Sequence, residues 1–164
     1  MSESLPFAAI HADSGAGELL IAFASELAGQ GVRVRGLIQR HEPDMHLVDV
    51  HSGQAFVITQ NLGEHSESCR IDPAGFAEAS QVLRGAAAAA AELVVVNRFG
   101  KLEAAGGGLL DEMLALMADG VPVLTCVNTE QLPAWREKTG DAGDLLAADM
   151  DALRRWWAGL TRPG

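Results

Sequence analysis

Phe7-Ala8-Ala9-Ile10-His11-Ala12-Asp13-Ser14-Gly15-Ala16-Gly17-Glu18-Leu19-Leu20 is the stretch that decides the fold. Phe7–His11 is a short apolar run, and small or polar residues follow it as far as Gly17. Leu19, Leu20, Phe23, Ala24 and Leu27 then recur at helical spacing, so a helix is expected over Glu18–Ala28. Gly29 and Gly31 stop it, and Val32–Gln39 alternates like a strand. A strand–loop–helix–strand opening implies parallel strands joined by a right-handed crossover.

Working outward, Met45–Val50 and Ala55–Thr59 read as two strands joined through a tight Ser52-Gly53 turn, an antiparallel excursion at one sheet edge. Asn61–Ile71 is polar and reads as loop. Asp72-Pro73 supplies a helix start, with the carboxylate at the N-cap and proline at the first helical position. That helix runs through Phe76, Ala79, Val82 and Leu83 towards the tract Ala86–Ala91, whose alanines favour helix. Leu93–Val96 has the pattern of a central strand buried on both faces. A glycine-rich loop leads into helix Leu109–Ala118, Gly120 ends it, and Val121–Val127 is another buried strand. Further on, Trp135–Lys138 fits a short helix, Leu145–Leu146 a short strand, and Asp149 caps Met150–Leu160. Trp156 and Trp157 are adjacent, so one of them packs fully inward. The order is α/β and three-layered, with about five strands.

The chain has 164 residues and a formal charge of −10, from 12 Lys+Arg against 22 Asp+Glu. That length suits one domain with a real core. The acidic balance argues against a general nucleic-acid or anionic-membrane binder. Two cysteines, Cys69 and Cys126, are too few for a disulfide scaffold. The N-terminus has no basic, long-apolar signal pattern, and the runs Gly85–Ala91 and Val121–Val127 are too short to span a bilayer. The expected setting is therefore cytoplasmic, with free thiols.

In open α/β sheets ligands bind outside the carboxyl ends of the strands. Four ends qualify: His11–Gly17, Gln39–His41, Asn97–Lys101 and Thr125–Asn128. The first resembles a phosphate-cradling loop, whose working form G-x-x-x-x-G-K-[ST] brings backbone N–H groups, a lysine and a metal-binding hydroxyl to the phosphates. Aligning its last glycine with Gly17 puts Ala12 at the first glycine, Glu18 at the lysine and Leu19 at the hydroxyl. Loop and helix fit, but both reactive side chains are replaced. A nucleotide-hydrolysing protein of this layout also ends its central strand in acid to hold Mg²⁺. Here Asn97 and Arg98 stand in that place. Glu18 and Arg98 thus invert the charges at two strand ends expected to be neighbours, and an ion pair between them would plug the site.

The chain resembles the small P-loop nucleoside-triphosphatases of bacteria and archaea from Phe7 to about Asn128. It is more closely similar to an uncharacterised bacterial family derived from that fold, whose members are linked to molybdate-transport genes. The residues carrying the resemblance are Ile10–Gly17, Gly31–Leu37, Leu47–Gly53, Cys69–Pro73, Val96–Gly108 and Val121–Thr125. The resemblance implies a P-loop-NTPase-like fold with a mainly parallel sheet. It also implies a ligand at these strand ends and a molybdate-transport component among the partners. The domain expected is single, over residues 1–164, with its core at 7–128 and a C-terminal helical part at 129–164.

The residues assigned to ligand binding are Asp13, Ser14, Gly15, Ala16, Gly17, Glu18, Arg70, Asn97, Arg98 and Lys101. Arg98, Lys101 and Arg70 would hold phosphate, molybdate or tungstate by charge-assisted hydrogen bonds. The ordinary alternative pairs Arg98 and Lys101 with Glu18 and Glu103 and leaves Arg70 in solvent. In the run His41, Asp44, His46, Asp49 and His51, strand alternation puts Asp49 and His51 on one face and His46 on the other, so exposed hairpin residues are expected rather than a metal site. Cys69 beside Arg70 reads as a loop thiol, Cys126 as a small core residue, and His11 as a hydrogen-bonded structural histidine.

The expected function is binding of a nucleotide or small oxyanion without efficient hydrolysis, linked to molybdate handling. Such a ligand is the only cofactor expected; the further partners are a second copy or a transport component. One alternative is a nucleoside-triphosphatase using Lys101 or Arg98 for phosphate and Glu103 for metal. Another is an interaction module with a collapsed pocket.

Overall fold

The computed structural model describes residues 7–40, 46–57, 59–60, 70–71, 73–86, 90–96, 98–107, 109–140 and 143–161. Nine strands and six helices are assigned among them. The chain opens with β1 (Phe7–His11), α1 (Ala16–Gly29) and β2 (Val34–Arg40). Next come β3 (His46–Asp49), β4 (Ala55–Val57), β5 (Thr59–Gln60), β6 (Arg70–Ile71) and α2 (Pro73–Ala86). Then β7 (Leu93–Val96), α3 (Lys101–Ala104), α4 (Leu110–Ala118), β8 (Val123–Val127), α5 (Leu132–Thr139), β9 (Asp144–Leu146) and α6 (Met150–Thr161) complete it. The main sheet has seven strands in the order β4-β3-β2-β7-β8-β1-β9, and β5 pairs with β6 separately. The fold is α/β with a mostly parallel mixed sheet. Among the described strands of the main sheet only β3 runs against the others, paired antiparallel with β2 on one side and with β4 on the other.

Helix α1 shows why the opening folds as it does. Its buried stripe is Ala16, Leu20, Phe23, Ala24 and Leu27, so the helix lies on the sheet along one side. Gly31 takes φ 89 and Val32 N–H reaches back to Leu27 O at 3.1 Å, a Schellman closure that a side chain in the left-handed region would strain. Truncating fully buried Leu20 or Phe23 to Ala would cost roughly 2–5 kcal/mol.

Two cores sit on the two faces. Ala8, Ile10, Val34, Val95, Leu124 and Cys126 pack against α1 and α6. Ala9, Leu37, Val94, Val96 and Val127 face α2, α4 and α5, where Trp135 stacks on Phe7 at 4.8 Å and meets Phe99 edge-on at 5.8 Å. Arg154 of α6 clamps Glu26 of α1 through two hydrogen bonds of 3.0 and 2.7 Å. Trp156 is buried and Trp157 only partly so, as adjacency predicts. Among the described residues no helix is long and apolar enough to cross a membrane.

Several expectations shift. The sheet is wider than about five strands, because the hairpin and β9 both join it. The polar stretch Asn61–Ile71 ends in a strand, Arg70–Ile71, while residues 61–69 lie outside the described residues. The hairpin turn is longer than Ser52-Gly53: Asp49 N–H donates to Gln54 O at 2.9 Å and Gly53 N–H to Asp49 O at 2.8 Å. The Asp72 cap lies outside the described residues, but Pro73 is the first helical residue. At the far end Ala90 adopts φ 57 and Ala91 N–H bonds Ala86 O at 3.1 Å, so the alanine tract does not continue as helix to Ala91.

Candidate functional site

Strands β7, β8 and β1 are parallel neighbours in that order, so their carboxyl ends lie along one edge. The end of β8 organises the others. Ala12 N–H donates to Val127 O at 3.1 Å, and Phe99 N–H donates to Cys126 O at 2.7 Å. The segments that leave β1 and β7 are thereby tied to opposite sides of one strand terminus.

The first loop is short. Gly15, at φ 79 and ψ −8, turns the chain into α1, which opens at Ala16 and not at Glu18. Gly17 and Glu18 consequently lie in the first helical turn. Glu18 is exposed, and its carboxylate complements the positive end of the helix dipole. Ser14, Gly15 and Gly17 are also exposed, and Ala16 is buried under the turn.

Asp13 is directed towards the β8–α5 connection. Its Oδ1 accepts Thr129 N–H at 2.8 Å and its Oδ2 accepts the Thr129 hydroxyl at 3.1 Å. These bonds hold the Asp13 carboxyl below the usual aspartate range; partial desolvation opposes them and nearby His11 adds to the lowering. His11 Nε2 lies 3.1 Å from Thr129 Oγ1. The single hydroxyl proton goes to Asp13, so His11 is the donor to that oxygen. His11 is thus hydrogen-bonded as expected, within a His11–Thr129–Asp13 chain. Thr129 itself escaped the sequence reading. Asn128 Oδ1 accepts Gln131 N–H at 2.8 Å and shapes the entry to α5.

Beyond β7, Arg98 is exposed, and its side chain passes over the Gly100 backbone: a Cβ at Gly100 would lie 3.3 Å from Arg98 Nε. Burial pushes the Cys126 thiol up to about 12, and the Arg98 cation acts against that shift. Cys126 is a core residue, as its apolar strand implies.

Glu103 is buried, and each of its oxygens accepts a backbone N–H. Gly100 donates to Oε1 at 2.8 Å and Leu109 donates to Oε2 at 2.9 Å. The carboxylate therefore clasps the glycine-rich loop closed and ties it to the start of α4. Neither pairing with Arg98 nor an open metal-ligand position describes it.

The Glu18–Arg98 plug is not formed: no ion pair joins them among the described residues, and both are exposed. The physical reason is strand order. β8 stands between β1 and β7, so the two ends are separated by two strand spacings, about 9–10 Å. Asn97 lies outside the described residues. Lys101 is the first residue of α3, and Arg70 enters the separate β5–β6 pair, opposite Gln60. In the histidine run, Asp49 Oδ1 accepts the N–H groups of His51 and Ser52 at 2.8 and 3.3 Å, a turn-forming role; His41 and Asp44 lie outside the described residues.

A family model described as protein of unknown function (DUF2478) matches residues 7–156. The chain is 38% identical over 146 residues to the "Molybdenum import ATP-binding protein ModC 2" of Bradyrhizobium diazoefficiens. That match takes in 85% of this chain and 16% of that protein, so the chain spans about a sixth of the length of this curated relative. The solution structure of a human cancer-related nucleoside triphosphatase superposes with a TM-score of 0.63 at 15% identity, covering 96% of this chain and 98% of that one. The α/β fold is therefore similar to that of this nucleoside triphosphatase.

Proposed function

The chain belongs to the DUF2478 family, and on that premise we propose that it binds a nucleotide or small oxyanion at the strand-end site without hydrolysing it efficiently. One observation carries the reading. Glu18 sits exposed in the first turn of α1 and Arg98 exposed just past β7, where a phosphate-hydrolysing protein of this layout carries a cation and an acid. Arg98 and Lys101, both close behind β7, then supply charge for an anion, as arginine and lysine do in charge-assisted hydrogen bonds.

The residues present do not fit a magnesium ion of the usual kind. Leu19 stands where a metal-binding hydroxyl is needed, both Asp13 oxygens accept hydrogen bonds from Thr129, and both Glu103 oxygens accept backbone N–H groups. In this reading residues 1–164 act as one domain in the cytoplasm, with Asp13 to Glu18 and Asn97 to Lys101 as the two lips of the site and Arg70 as a further cation. The likeness to a molybdenum import protein supports a role in molybdate handling, alongside a transport component.

Calorimetric titration with ATP, GTP, orthophosphate and molybdate, with and without Mg²⁺, tests this. Saturable binding of at least one anion, weakened about tenfold or more (about 1.4 kcal/mol) in an Arg98→Ala/Lys101→Ala double variant, is expected, with phosphate release at background. Mg²⁺-dependent phosphate release abolished by Lys101→Ala would replace the reading by an active triphosphatase. Absence of any anion binding would replace it by an interaction module.

A further inference from the structure

An opening among the described residues lies away from the strand ends, on the flank of α1. A groove of about 510 Å³ runs between α1 and the β2–β3 edge. Its walls are Ile21 and Ala28 of α1, Val34 and Ile38 of β2, and Val48 and Val50 beside the hairpin. Helix α2 covers β2, β3 and β4 on the other face, whereas α1 packs on β2 and β8 and leaves this side of the hairpin open. The volume falls within the range of small-molecule sites, roughly 300–1,000 Å³.

Charge says what would enter. Strand alternation directs Arg35 to the α2 face, in register with Val94. Its Nη1–H donates to the carbonyl of Val34 at 3.0 Å, which folds the side chain back along β2, and Arg35 is among the residues that line the groove. Arg35 is only partly exposed, and among the described residues no carboxylate lies within ion-pair distance of it. Arg33 and Asp49 also line the groove; Arg33 engages Glu92 at 3.8 Å, and Asp49 Oδ1 accepts the N–H groups of His51 and Ser52 in its own hairpin. Arg35, without an ion-pair partner among the described residues and lining a groove whose walls are largely aliphatic, favours an anion with an apolar body.

We propose that this groove is a binding site for an amphipathic organic anion, whose hydrocarbon or aromatic part lies against Ile21, Val34, Ile38 and Val48 and whose acidic head meets Arg35. The site is independent of the strand-end site, which shares none of these side chains.

The test uses the whole chain and two probes, 8-anilinonaphthalene-1-sulfonate by fluorescence and decanoate by displacement of it. Saturable one-to-one binding is expected, with decanoate competing at least tenfold better than decanol. Arg35→Glu should weaken both anions tenfold or more. Ala28→Trp and, independently, Ser25→Phe, both at exposed helix positions, should block the groove and abolish binding while the far-ultraviolet circular dichroism stays unchanged. Equal affinity for decanol and decanoate would overturn the role of Arg35. So would binding indifferent to Arg35→Glu, Ala28→Trp and Ser25→Phe. An acidic amphipathic peptide that binds where decanoate does not would overturn the small-molecule assignment in favour of a protein partner.

Discussion

Glu103→Ala should destabilise the fold far more than a change in a glycine-rich loop ordinarily does. The Glu103 side chain is 6% exposed, and its two oxygens are the acceptors for Gly100 N–H and Leu109 N–H. Truncation orphans both donors. A buried donor left without a partner costs about 1–3 kcal/mol, with the half-buried Gly100 amide at the low end and the buried Leu109 amide at the high end. Relief from burying a charge offsets part of this, so the net expectation is about 3 kcal/mol, or roughly a hundredfold in the folded-to-unfolded ratio. Glu103→Gln should fall between, because its amide keeps one acceptor oxygen and turns an NH₂ towards the other donor. Urea unfolding followed by circular dichroism measures the effect as a lower midpoint at unchanged slope. In heat the same loss corresponds to a fall of roughly 6–12 °C in Tm. A Glu103→Ala variant within about 0.5 kcal/mol of the parent would refute the clasp and return Glu103 to the pool of free acids near the site.

Asp13→Ala should carry a pH signature. The hydrogen bonds from Thr129 hold the Asp13 carboxyl below its ordinary range, so its stabilisation is complete above the unfolded value and is lost as pH falls through the folded one. The Tm gap between parent and variant should be fully present well above about pH 4, begin to narrow there, and close only as pH falls through the lower folded value; a gap that does not narrow in acid contradicts the Thr129 bonds. Gly36→Ala should not fold stably: at φ 131 its Cβ would lie 1.8 Å from Val95 O, a backbone atom, and a loss above roughly 4 kcal/mol is expected by chemical unfolding. In a Cys69→Ser background the remaining thiol, Cys126, is buried with its pKa pushed up to about 12. It should resist a disulfide reagent at pH 8 until denaturant is added, and rapid modification of native protein would show that β8 opens locally.

What could be read from the chain was local and periodic. The β1–α1–β2 opening, the edge hairpin and β7 each announce themselves within a dozen residues, through apolar spacing and glycine stops. Strand order does not. Nothing in Val123–Val127 says that it inserts between β1 and β7, and the Glu18–Arg98 ion pair failed on that point alone. The tie between Asp13 and Thr129 joins residues 116 positions apart, and it left no local mark beyond a polar pair after an apolar strand. Glu103 looked like a free acid because burial, not spacing, gives it its role. The groove was equally silent: it arises because α1 covers one part of a face and not another, a property of layer coverage rather than of any segment.

The tethering of two loops to the last carbonyls of β8 bears on how such a molecule changes over generations. Both anchors are main-chain amides, Ala12 and Phe99, and a main-chain amide survives almost any replacement of its own side chain. The frame around these strand ends is therefore held by atoms that point mutation scarcely touches, proline apart. Lineages built on it can discard one reactive group and recruit another while the scaffolding keeps its dimensions. A change of chemistry on such a frame need not be preceded by a weakened fold.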